Sequence, residues 1–142
     1  MSTPVKIRIT KHVFLDQLHE IIRESGPDFV YQTGVSDNCS YLPNDLNPEN
    51  GCLIGRMLSS LGVTTDTLKA MDAFGTLSRH ENLELLRHAG ITFSTLGLAM
   101  AQAAQSQQDA EVPYGQIPLA ILRDAANHPS FEAWAKSMHQ PD

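Results

Sequence analysis

No apolar run in the 142-residue chain approaches the ~18 residues a membrane-spanning helix needs, so a membrane partner is not expected. Basic residues are scarce. Ten Lys and Arg stand against sixteen Asp and Glu, a formal charge of −6. Binding along a phosphate backbone draws on a basic footprint, so nucleic acid is not the expected partner. Cysteine is scarcer still, with only Cys39 and Cys52. The first residues, Met1 to Lys6, lack the apolar centre of a signal peptide. Together these features give a cytoplasmic expectation.

The common catalytic signatures are also missing. The chain has no Gly-x-x-x-x-Gly-Lys-Ser/Thr, no Gly-x-Gly-x-x-Gly and no Gly-x-Ser-x-Gly. His80, Glu84 and His88 share a helical face, but their spacing is not that of His-Glu-x-x-His. The expectation is a protein that is not an enzyme and holds no cofactor.

Apolar residues make up 42% of the chain and charged residues 18%, ordinary globular usage. One domain over 1–142 is expected, with a strand, a helix, a hairpin and a loop over 4–51 and a helical body over 52–138. Val5, Ile7 and Ile9 alternate with Lys6 and Arg8, the period of a half-buried strand. Thr10 suits a helix N-cap, with Phe14, Leu18, Ile21 and Ile22 on the apolar face and Gly26-Pro27 as the stop.

Two β-like runs follow at 29–32 and 39–42, joined by a hairpin-length polar link. Antiparallel pairing of these runs is expected, giving a small N-terminal sheet. Two prolines and three asparagines mark 43–51 as a loop.

Downstream the pattern is helical. Segments begin near Cys52, near Thr64 or Thr65, at a capping box of Ser78 with Glu81, at Thr92, at Pro118 and at Pro129. The predicted class is therefore α+β: a mainly helical single domain with a small N-terminal antiparallel sheet.

Several short blocks occur in an order that resembles a known group. These are Pro27-Asp28-Phe29-Val30-Tyr31, then Cys39-Ser40-Tyr41, then Gly51-Cys52-Leu53-Ile54-Gly55, then Leu61-Gly62-Val63. The chain resembles small uncharacterised proteins of actinobacteria and their phages, mycobacteriophages above all. The similarity covers 9–120, with Tyr114 where a tryptophan is more familiar. It implies a phage-type source in a host cytoplasm and carries no reaction with it.

The candidate sites follow from this reading. The loop 33–51 with Tyr31, Tyr41 and Asp45, together with Trp134, is the expected docking surface for a host or phage protein, since loops on a rigid base commonly carry function. Cys39 and Cys52, twelve residues apart in the intervening count, read first as small buried side chains. A thiol or metal site at these cysteines with His80 and His88 is an alternative. Helices within 65–89 could be drawn as a DNA-reading pair, the other alternative, although two glutamates offset the two arginines of 78–89. The helix 92–109 is rich in small residues. That suits a central core helix or close packing in a homodimer, with Gln102, Gln105, Gln107 and Gln108 rimming the contact.

Overall fold

The computed structural model describes residues 6–33, 40–47 and 49–126. Strand β1 (Ile7–Ile9) runs through Thr10 into α1 (Lys11–Ser25). Thr10 Oγ1 accepts from the Val13 amide at 3.2 Å, taking up one donor that the first turn leaves orphaned. Phe14, Leu18 and Ile21 are buried along one stripe of α1. Gly26 ends the helix at φ 92°, a conformation that costs a glycine nothing.

The body continues with α2 (Leu53–Ser60), α3 (Thr65–Phe74) and α4 (His80–His88). Then come β2 (Ile91–Phe93), α5 (Thr95–Asp109), a short 3-10 turn over Tyr114–Gln116 and α6 (Ile117–Ala126). Thr64 Oγ1 caps α3 by accepting from the Thr67 amide, as its position before an apolar run suggests.

The sheet departs from expectation. It is parallel, not antiparallel. β1 pairs with β2 in the register Ile7↔Ile91, Arg8↔Thr92 and Ile9↔Phe93. Thr92 therefore does not open a helix. It stands mid-strand, and the cap is Ser94, whose Oγ accepts from the Gly97 amide at 2.9 Å.

The two strands are used alike. Each passes through a single hydroxyl residue into a helix of fifteen residues, α1 or α5, and the two helices pack together. A parallel pair needs a long crossover, supplied here by α1 to α4. α5 starts directly over the end of β1. A Cβ at Gly97 would lie 2.2 Å from the Ile9 carbonyl oxygen.

The expected hairpin does not form among the described residues. Residues 29–33 and 40–42 carry no strand, and 34–39 lie outside the description. Side chains take the place of a backbone ladder. The Ser40 amide donates to Tyr31 Oη at 2.9 Å, and the Gln32 amide donates to Asn47 Oδ1 at 3.2 Å.

The capping box at Ser78 is likewise absent. Arg79 holds the N-cap position of α4 without a side-chain bond, and Ser78 Oγ lies 2.7 Å from Thr76 Oγ1. The helix expected at Pro129 falls outside the described residues.

One continuous core runs from Ile9 to Ile121. α5 lies inside it, packed against α1, α2 and α6. Its glutamine-rich end is not a wet rim. Gln105 and Gln108 are buried.

Candidate functional site

Ser40 and Tyr41 are fastened from several sides. The Cys52 amide donates to the Ser40 carbonyl at 2.8 Å. The Tyr41 amide donates to Asp72 Oδ1 at 2.8 Å, and Ser40 Oγ donates to Asp72 Oδ2 at 3.3 Å. Burial pushes the Asp72 carboxyl up from its ordinary range, and these two bonds work against that push.

Tyr41 reaches into the core. Its hydroxyl donates to the Gly75 carbonyl at 2.8 Å and accepts from Gln105 Nε2 at 3.0 Å. Gln105 Oε1 in turn accepts from the Leu77 amide at 2.8 Å. Glycines allow the close approach. A Cβ at Gly51 or at Gly55 would sit 2.2 Å from the Tyr41 carbonyl oxygen. The block around the two glycines is thus a packing surface for the loop.

Beyond this clamp the chain forms a tight polar turn. The Asn44 amide donates to the Asn47 carbonyl at 3.1 Å, and the Asn47 amide donates to the Asn44 carbonyl at 3.2 Å. Asn44 Oδ1 also accepts from the amides of Leu46 and Asn47. Asn47 bridges to Gln32 through both ends of its amide, with Nδ2 donating to the Gln32 carbonyl at 2.8 Å. Held at the tip are Asp45 and Leu46, both exposed, Leu46 at 53%.

The same loop rims a cleft of about 420 Å³ between α1 and α2. Glu20 and Glu24 line it from α1, Arg56 from α2, and Glu49 from the loop. The Arg56 side chain is 11% exposed and donates to Ser25 Oγ and to Glu24 Oε2, the latter at 3.3 Å. Arg56 answers Glu24 and Arg23 answers Glu20, so among the described lining residues Glu49 is the carboxylate outside those pairs.

The residues singled out by sequence are dispersed. Tyr31 and Tyr41 are each 1% exposed, so their rings offer no docking face. They serve as anchors beneath the loop. Asp45 is at the exposed tip. Cys39 and Trp134 lie outside the described residues.

Cys52 is a buried free thiol directly before α2. His80 and His88 are exposed at opposite ends of α4. Between them Glu84 accepts from Arg87 Nη2 at 2.9 Å, and that bond holds its carboxyl below the ordinary range. No group of three or more metal-ligating side chains is gathered among the described residues. The α3–α4 pair keeps both arginines beside glutamates, Arg79 with Glu81 and Arg87 with Glu84. No described helix is long and apolar enough to cross a membrane.

Sequence reasoning missed Asp72 and the Asn44–Asn47 turn, and it named Gln105 and Gln108 without their buried partners. The two asparagines, three apart in a proline-flanked loop, were the available signal for the turn. No protein-family profile, curated protein or solved structure matches the chain.

Proposed function

We propose that this chain is a non-enzymatic binding protein that docks on another protein through its 40–51 loop. Leu46 is the apolar anchor, and Glu49 in the cleft beside the loop receives a basic group of the partner. The observation that carries this reading is the fixing of the tip before any partner arrives. A loop already held by Asn44, Asn47 and Asp72 loses little freedom on binding, so more of its contact energy becomes affinity. An exposed leucine on such a base, beside a polar rim, has the make-up of a small interface centre. The partner we expect, on the resemblance of the Gly51 block, is a host or phage protein.

The test is capture from host lysate with the wild-type chain, Leu46→Asp and, as a control on a distant exposed residue, Leu119→Asp. A protein retained by wild type and L119D but lost with L46D supports the reading. Identical profiles for all three contradict it.

A further inference from the structure

A second cavity, of about 310 Å³, opens between the 75–79 segment and the last two turns of α5. Gln102, Gln105, Ser106 and Asp109 face it from one side of the helix, at spacings of three and four. Thr76 and Ser78 complete the lining, their hydroxyl oxygens 2.7 Å apart. We infer that this cavity binds an organic cation, an ammonium or guanidinium group received by the Asp109 carboxylate and the hydroxyls around it.

Charge and position both favour a cation here. Asp109 is the last residue of α5, where the helix presents the negative end of its dipole, and the last turn carries no basic residue. Glu111 follows just beyond, exposed, with Thr33 Oγ1 donating to it at 3.3 Å. The ion pairs among the described residues use other carboxylates. Among the described residues Asp109 accepts a neutral bond, from Gln108 Nε2 at 3.2 Å, and makes no ion pair. It is the one titratable group among the described lining residues, and burial pushes it up to about 6. A half-buried carboxyl lacking a positive partner is stabilised in its charged form by an incoming cation.

The kind of cation follows from the donor set. Calcium takes six to eight oxygens, usually with several carboxylates, and the described lining offers one carboxylate. An ammonium has three donors and a guanidinium five. These match a carboxylate, three hydroxyls and amide carbonyls. The volume far exceeds the share of one water, about 30 Å³, so a small organic group can enter. The far wall is stiff, because Gln105 is tied to the Leu77 amide and to Tyr41.

The experiment is a carboxyl-detected NMR titration of the full chain with methylguanidinium chloride and n-butylammonium chloride. Sodium chloride at equal ionic strength is the control. Saturable shifts centred on Thr76, Ser78, Ser106 and Asp109 are expected, with the Asp109 midpoint falling by about one unit or more. Asp109→Asn should abolish the effect, and Ser78→Ala, at an exposed position, should weaken it severalfold. Blocked arginine and lysine methylamides distinguish the source. Tighter binding than the bare cations assigns the site to a protein side chain, and weaker binding assigns it to a free amine; either supports a cation site. Shifts that never saturate, or that sodium chloride reproduces, overturn the proposal. So does undiminished binding by folded D109N. If D109N does not fold, an unmoved Asp109 midpoint in the wild type overturns it alone.

Discussion

Gln108 Oε1 accepts a hydrogen bond from the Leu53 amide at 2.6 Å, so a glutamine on α5 caps a helix fifty-five positions before it. Cys52, the residue in the N-cap position of α2, supplies no side-chain bond of its own. The same oxygen accepts from the Tyr114 hydroxyl at 2.9 Å, joining α2, α5 and the turn before α6. Gln108→Leu should strand the Leu53 amide in the core and take one partner from the Tyr114 hydroxyl. A buried donor left unpaired costs about 1–3 kcal/mol, so the loss should be at least that. Tyr114→Phe should cost less, since Gln108 then still holds Leu53. Urea unfolding of both variants checks the order.

Tyr41→Phe makes a sharper claim about the loop. It removes the donor to Gly75 and the acceptor of Gln105 Nε2, and it leaves the Asp72 bond to the Tyr41 amide in place. Stability should fall by roughly 1–3 kcal/mol while the loop keeps its position. Asp72→Ala should do the reverse to the loop, releasing the Tyr41 amide. Amide hydrogen exchange should then accelerate at Tyr41 in D72A and stay near wild type in Y41F.

Two glycine substitutions should behave differently for different reasons. Gly55→Ala drives a Cβ to 2.2 Å from the Tyr41 carbonyl oxygen, and backbone must move to admit it. About 1–3 kcal/mol of stability should be lost, with chemical-shift changes concentrated in 40–51. Gly26→Ala meets no atom within 4 Å but sits at φ 92°. Its cost is local strain of about 1–2 kcal/mol, leaving the loop unchanged.

Stability should also fall as pH rises through the weakly acidic range. Asp109 is raised to about 6 and Asp72 is raised as well, each chiefly by burial. A carboxyl whose folded pKa exceeds its unfolded value keeps its proton longer in the folded state. Its contribution is full below the unfolded value and is lost as pH climbs through the folded one. The urea midpoint should therefore drop between about pH 4 and about pH 7, and Asp109→Asn should flatten the upper part of that drop. An equal drop in D109N would assign the effect elsewhere.

The helices were legible wherever period and cap agreed. Phe14, Leu18 and Ile21 behind Thr10, and Leu68 and Met71 behind Thr64, lie as the pattern predicts. The strand at 91–93 was not. Three residues are too few for a period, and Thr92 and Ser94 offer the same capping chemistry two positions apart. Phe29 to Gln32 and Tyr41 carry β-forming residues, yet the Gln32 and Tyr41 amides go to the Asn47 side chain and the Asp72 carboxylate, and the Phe29 carbonyl accepts from the Tyr114 amide. Such partners leave no local pattern. Tyr31 and Tyr41 are buried as anchors of the loop, a placement that only the fold reveals. Gln105 and Gln108 looked like solvated polar residues because only the folded arrangement supplies their buried partners.

The most direct test of the docking account is photo-crosslinking in host cells, with a photoreactive amino acid at position 46 in one variant and at position 119 in another. Both positions are exposed, Leu46 on the fastened loop and Leu119 on α6. A discrete covalent adduct of one size from position 46 and none from position 119 is the predicted result. No adduct from position 46, or the same adducts from both, would contradict the claim that the loop is the docking surface.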